Sequence, residues 1–216
     1  MRERLNTTAQ SKRAAVAHKR RRPGRLCGLL GVLLLAAALG LVAWNTWDDH
    51  RAAESAEQIL AEMSAPPGPA EIPQAVPPAS QSEPASAKMP TVIVDGSAYI
   101  GTLQIPALGL RLPVLRDWSY PNLRIAPCRY AGTPQGSLVL AAHNYESHFG
   151  RLDKLKPGDT VQFTDAAGSL YAYTVAQVEI LQPAAIEEMI DPAWDLTLFT
   201  CTLGGQTRLT VRCMRS

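Results

Sequence analysis

Acidic residues are nearly missing from the first 25 positions, where Glu3 stands alone against nine lysines and arginines. Charge of either sign is then absent from Leu26 to Trp44, "LCGLLGVLLLAAALGLVAW". That absence excludes an ordinary solvent-facing helix: as a helix, the run spans about 28 Å, one hydrocarbon core. Basic excess is lacking from residues 45–216, which hold 12 Lys/Arg against 18 Asp/Glu, a net of −6. This argues against nucleic acid as a partner of the main body. Internal repeats are absent, which excludes a solenoid or repeat array. Histidine is scarce, with four in 216 residues.

What is present is unevenly arranged. The overall charge of +2 hides a basic tail on an acidic body. Lys and Arg crowd the start of the apolar run, and Asp48 and Asp49 follow its end. The positive-inside rule then puts the N-terminus in the cytoplasm and everything after Trp44 outside, at a cell membrane crossed once. Trp44 and Trp47 suit an interfacial aromatic belt. A cleaved signal peptide is the competing reading, with small residues at Ala36 to Ala38. The run exceeds the roughly 7–15 apolar residues of such signals, which favours an uncleaved signal-anchor.

Four segments follow: a basic cytoplasmic tail (1–25), a transmembrane signal-anchor helix (26–44), a stalk and Pro/Ala-rich linker (45–90) and a folded domain (91–216). Residues 48–63, "DDHRAAESAEQILAEM", are rich in helix formers and read as a short helical stalk. Ser64 to Pro90 holds eight of the 17 prolines. Such a segment buries too little apolar surface to fold and acts as a semi-rigid spacer.

The remainder is β-rich. Candidate strands are "YIGTLQIP", "LRLPVL", "NLRIA", "GSLVLAAH", "DTVQFT", "LYAYTVAQVEIL", "DLTLFTCT" and "QTRLTVRC", punctuated by Gly, Pro, Asn and Asp. "HFGRLDKLKPGD" reads as a short helix or turn. Eight short strands with few helices indicate an all-β barrel or sandwich.

The last two runs flank Gly204-Gly205, a favoured two-residue hairpin loop because the primed turns need positive φ. With those glycines as the loop, Thr202 faces Thr207 and Cys201 faces Arg208, on the same sheet face with Cβ atoms about 4.5–5.5 Å apart. Arg212 shares that face but pairs with Thr197, roughly 13 Å along the strand. A cationic neighbour favours thiolate over thiol, and a guanidinium can donate to the oxyanion formed when a thiolate attacks a carbonyl. Such acyl transfer also needs a proton for the leaving amine, usually from histidine. His18 is on the cytoplasmic side and His50 in the stalk, which leaves His143, at the end of an apolar strand, and His148, in the loop that follows. Singly, each of these residues has an ordinary reading: a small buried hydrophobe, a solvated cation, a hydrogen-bonded imidazole. The hairpin pairing of Cys201 with Arg208 raises the chemical one.

"TLFTC", Thr197 to Cys201, resembles the TLxTC signature of the sortases, cysteine transpeptidases of the bacterial surface. "SLVLAAHN" is similar to the sortase strand that ends in the catalytic histidine, and "RLTVR" to the strand that opens with the catalytic arginine. The order His, Cys, Arg and the N-terminal anchor with its spacer fit as well. The resemblance covers about Tyr99 to Arg212. Ala142 stands where many members have glycine, and the step from Cys201 to Arg208 is shorter than in many. The resemblance implies a closed eight-stranded sortase-type β-barrel as the catalytic domain (91–216), with Cys201 as nucleophile, His143 as general acid/base and Arg208 as stabiliser of substrate and oxyanion. It further implies cleavage of an LPxTG-like sorting signal at the C-terminus of surface proteins, and transfer to an amine from a peptidoglycan crossbridge or a pilin lysine. No cofactor is implied. Some sortases use calcium, but "YESHFGRLDKLKPGD" carries only scattered acids, so no metal is expected. Pilin-type members often carry an Asp-Pro-aromatic lid element ahead of the barrel. Here "IDPAW", Ile190 to Trp194, lies late and reads as a turn feeding the Cys201 strand. Apolar side chains between Gln182 and Trp194 are expected to wall the Leu-Pro part of a substrate.

Rival readings make distinct demands. An L,D-transpeptidase would show a compact Ser-His-Gly-Cys run, which is absent, and a papain-like peptidase would place Cys before His. A non-catalytic cell-wall-binding β-domain would use Trp118, Tyr120, Tyr130 and Tyr145, which show no repeated spacing. Cys128 and Cys213 lie outside the membrane, where a disulfide is permitted; Cys201 is expected to be free.

Overall fold

The computed structural model describes residues 23–64 and 89–216. Most of the basic tail and the proline-rich part of the linker lie outside the described residues. The chain divides into two compact units, Met1–Asn45 and Thr46–Ser216.

In the first unit the described residues belong to α1 (Pro23–Ser64), a helix of 42 residues. Its apolar side chains, among them Leu30, Leu33, Leu35 and Leu41, are exposed. Among the described residues it is the one helix long and apolar enough to cross a membrane.

The second unit takes in the later turns of α1 with the β domain. Ala52, Ala56, Ile59 and Leu60 are buried, and Met63 packs beside them. Their spacing of three and four residues is the apolar stripe of a helix with one covered face. The stretch expected as a helical stalk is thus helical and packed along one side within the unit.

Among the described residues the sheet has nine strands: β1 (Val92–Val94), β2 (Ser97–Ile105), β3 (Leu110–Leu115), β4 (Cys128–Ala131), β5 (Leu138–Ala141), β6 (Thr160–Asp165), β7 (Leu170–Leu181), β8 (Leu196–Cys201) and β9 (Arg208–Arg215). Their order is β1-β2-β3-β4-β5-β8-β9-β7-β6, and β6 pairs back onto β2. The eight strands β2–β9 therefore form a closed ring, as expected, and β1 is an extra ribbon paired with β2. Closure removes the free edges that an open sheet would have to protect. The β5–β8 pair is parallel, as is the single β3–β4 contact, whereas the remaining pairs are antiparallel.

Alternation along the strands divides apolar residues between two clusters. One includes Leu103, Leu140, Phe163, Leu198 and Val211. The other, on the opposite face of the sheet, includes Tyr99, Val139, Ala141 and Phe199 from the strands, Leu123 from the segment before β4 and Ile59 from α1. Each large side chain so buried contributes roughly 1.5–3 kcal/mol.

One local expectation is corrected. "NLRIA" is not a strand. Ser119 accepts a hydrogen bond from the Asn122 amide at 3.1 Å and, with Pro121 in the first turn, starts the short helix α2 (Tyr120–Leu123); the strand begins only at Cys128. The β1–β2 ribbon turns on Asp95-Gly96, both at positive φ (46° and 74°) as a primed hairpin loop requires. Cys128 and Cys213 are free, buried and in different clusters, Cys128 with Phe199 and Cys213 with Val211. Burial pushes both thiols up to about 12.

Candidate active site

Strand order brings the three candidate residues together. β8 is the middle strand, with β5 on one side and β9 on the other. Cys201 is the last residue of β8 and pairs directly with Arg208, the first of β9. On the other flank the parallel register sets Val139 beside Thr197 and Ala141 beside Phe199. It persists one residue further, since the Ala142 amide donates to the Phe199 carbonyl at 3.2 Å. Thr200 Oγ1 also donates to the Ala142 carbonyl at 2.9 Å. The next residue, His143, therefore leaves β5 alongside Cys201, with neighbouring strands about 4.8 Å apart. The strand register thus sets Cys201 between Arg208 and the residue that follows β5, His143, at one rim of the barrel.

The hairpin has the expected register but a longer tip. Thr202 and Thr207 are joined by an amide–carbonyl bond at 3.1 Å and by their hydroxyls at 2.8 Å, which leaves residues 203–206 as the loop. The Gly205 amide donates to the Thr202 carbonyl at 2.8 Å, and Gly204 and Gly205 both have positive φ (84° and 73°). A four-residue loop centred on the same glycines changes neither pairing nor face, so Cys201 still meets Arg208. Arg208 Nη1 donates to the Gly205 and Thr207 carbonyls at 3.0 and 3.1 Å, which ties the guanidinium to its own hairpin. Cys201 is free and partly exposed.

Arg212, the other arginine on this face, is a different kind of residue. It is buried, and its guanidinium donates to Glu179 Oε1 (2.7 Å), Thr197 Oγ1 (3.0 Å) and the carbonyls of Met189 (3.2 Å) and Glu188 (2.6 Å). It thereby ties the short helix α3 (Ile186–Met189), in the β7–β8 connection, to the barrel. In that connection Met189 is buried against the cluster of Phe199, while Ile186 and Ile190 are half-exposed. "IDPAW" is the turn expected: the Trp194 amide donates to the Asp191 carbonyl and the Ala193 amide to the Asp191 carboxylate, just ahead of β8.

The two histidines are also separated by their surroundings. His148 is fully buried, neither ring nitrogen has a hydrogen-bond partner among the described residues, and burial pushes its pKa down to about 4. His143 is only partly buried, its pKa lowered chiefly by desolvation and further by Arg124. Its ring stacks on Tyr145, centroids 4.9 Å apart and planes 29° apart. The loop after it folds on itself: the Phe149 amide donates to the His143 carbonyl, and the Gly150 amide to the Tyr145 carbonyl. A side chain at Gly150 would put its Cβ 2.6 Å from the Asn144 carbonyl oxygen, so this close approach requires glycine.

Asp48 and Asp49, which the sequence placed only as charges after the apolar run, contact the loop that follows His143. Tyr145 donates its hydroxyl to Asp48 at 2.5 Å, and Ser147 donates its amide and hydroxyl to Asp49 Oδ1 at 3.0 and 2.6 Å. No local pattern links residues nearly 100 positions apart. Among the described residues, no cluster of His, Cys, Asp and Glu suits a metal ion.

Residues 103–216, just over half of the chain, match the family model described as "Sortase domain". The chain belongs to the sortase family. It is 29% identical over 126 residues to Sortase A of Bacillus anthracis, an alignment covering 55% of this chain and 60% of that relative. It thus spans less than two thirds of the curated relative it matches. Solved structures agree: Sortase A from Corynebacterium diphtheriae aligns with a TM-score of 0.51 at 25% identity, over 56% of this chain and 61% of that one. Sortase C1 from Streptococcus agalactiae aligns with a TM-score of 0.51 at 28% identity, over 57% and 70%. The closed eight-stranded barrel is the sortase fold that its sequence implied.

Proposed function

We propose that this sortase is a membrane-anchored cysteine transpeptidase with Cys201, His143 and Arg208 as its catalytic residues. The observation that carries the reading is a partly exposed thiol on the middle strand of three, cross-paired with Arg208 and flanked by the strand that leads into His143.

In this reading the Cys201 thiolate attacks the threonine carbonyl of an LPxTG-like sorting signal. Arg208 donates to the oxyanion as it forms. The C–N bond to glycine breaks, and His143 gives its proton to the departing amine. A thioester remains on Cys201. An incoming amine, from a peptidoglycan crossbridge or a pilin lysine, attacks it, His143 takes the amine's proton, and the C–S bond breaks to release thiolate and the new amide. Water in place of the amine gives hydrolysis, the thiol-protease side reaction. No cofactor takes part. The half-exposed Ile186 and Ile190 wall the Leu-Pro part of the signal. The apolar part of α1 anchors the chain, with the tail in the cytoplasm, the barrel outside and the proline-rich segment as linker.

The test is transpeptidation by the full chain in detergent or nanodiscs, with a panel of sorting peptides and amines. The expected result is an amine-dependent product and a thioester adduct on Cys201 by intact mass. Peptide or glycan binding without turnover, unchanged in Cys201→Ala, would instead establish a cell-wall-binding β-domain.

A further inference from the structure

The segment of α1 that follows the apolar span is bonded to the loop that carries His143. Asp48 Oδ2 accepts the Tyr145 hydroxyl at 2.5 Å, within the range of a hydrogen bond to a carboxylate. Asp48 Oδ1 is held by Arg51 at 2.8 Å, so the carboxylate is fixed from both sides. The Tyr145 ring lies on the His143 imidazole. One residue along, Asp49 takes both the amide and the hydroxyl of Ser147. Two adjacent carboxylates thus grip the first turn of the loop after His143, and the buried stripe from Ala52 to Leu60 seats the helix that carries them.

We propose that Asp48 and Tyr145 are positioning residues for His143: the carboxylate fixes the phenol, and the phenol ring fixes the plane of the imidazole beside Cys201. The inference rests on the catalytic role given to His143 above. It moves the start of the functional unit to the helix at Thr46, and assigns residues 46–64 a part in the chemistry rather than in spacing alone. An imidazole that leaves its strand at a loop has free rotation about its side-chain bonds unless something holds the ring. Misplacement of a catalytic group by about 1 Å can cost on the order of a hundredfold.

The test uses the full chain in nanodiscs, with two readouts. In the transpeptidation assay, Asp48→Ala and Tyr145→Phe each lower kcat about tenfold with KM little changed. Tyr145→Phe keeps the ring and loses only the hydroxyl, so an equal loss in both variants assigns the effect to their shared bond. Asp48→Asn, which still accepts from the phenol, recovers most of the lost kcat. It nevertheless shifts the pH profile as Asp48→Ala does, because both remove the negative charge that favours imidazolium. The other groups facing His143 are unchanged: Arg124 after α2, Tyr145 and His148 on its own loop, Cys201 on β8 and Arg208 on β9. Asp49→Ala, which loosens the loop without touching the stack, serves as a comparison for general loop damage and has the smaller effect on kcat.

The second readout needs no turnover. Histidines labelled at Cε1, assigned with His143→Gln, report the ring-current shift of His143 from Tyr145. That shift collapses toward the free value in Asp48→Ala and is kept in Asp48→Asn. An Asp48→Ala chain with wild-type kcat, or with an unmoved His143 resonance, overturns the inference. A wild-type chain that turns over no sorting peptide overturns the functional reading instead, and the resonance still decides whether Asp48 positions the ring.

Discussion

Two regions of the same face, about 13 Å apart along β9, treat charge in opposite ways. In the body of the strand, Arg212 is buried and its guanidinium meets a carboxylate, a hydroxyl and two carbonyls. At the rim, Arg208 is partly exposed and, among the described residues, bonds to carbonyls of its own hairpin, beside a partly exposed thiol. The histidines repeat the contrast: His148 is sealed and neutral, whereas His143 is half-open and stacked. A polar group whose contacts are saturated inside the fold holds the structure. One kept at an edge with local partners is available to a substrate.

The largest expected effects break the rim. Cys201→Ala abolishes turnover and thioester formation, His143→Ala lowers kcat about 10²–10⁴-fold, and Arg208→Ala about 10²–10³-fold. All three are expected to melt within a few degrees of the wild type, because these side chains make few buried contacts; single-turnover assays and calorimetry check this. The reverse pattern is expected in the body. Arg212→Ala loses about 2–4 kcal/mol of stability by removing a buried, hydrogen-bonded charge. Its melting temperature falls by roughly 5–15 °C for a unit of this size, while kcat stays within about tenfold of wild type at a temperature where it is folded. If Arg212→Ala, still folded, is the slower enzyme, the division between rim and body is wrong.

The smallest expected effect concerns His148. Its folded pKa of about 4 lies below the ordinary 6.5, so the unfolded chain binds the extra proton between those values. The stability conferred by burying the neutral ring is complete above pH 6.5 and is lost as pH falls toward 4, by about 3 kcal/mol at the most. Melting curves at pH 7 and pH 5 are expected to converge in His148→Phe relative to wild type. An unchanged gap would show that other groups set the acid limit.

Much of the site was legible because it is local. An even-numbered loop on Gly204-Gly205 places Cys201 opposite Arg208 whether the tip has two residues or four. The strand pattern of "SLVLAAH" put His143 at a rim, but only the parallel β5–β8 pairing identifies the rim as that of Cys201. "NLRIA" misled because alternating apolar and polar side chains were weighed above the Ser119 cap and Pro121, which start a turn of helix. Asp95-Gly96 is itself a local hairpin signal, and it closes the β1–β2 ribbon. In residues 48–63, alanine was read as helix propensity alone, whereas Ala52 and Ala56 are also the small contact face by which the helix seats. The Asp48–Tyr145 bond has no signature at all, since it joins two elements through tertiary packing.

The sheet order also bears on how the unit is assembled. β6–β7 and β8–β9 are each hairpins between consecutive strands, yet β8–β9 sits between β5 and β7. Cys201 and Arg208 can therefore become neighbours as soon as a local hairpin zips, whereas His143 joins them only when that hairpin is inserted into the ring. Contacts so distant in sequence form slowly. The pairing of Cys201 with Arg208 thus needs one local hairpin, whereas the approach of His143 to Cys201 needs the ring itself.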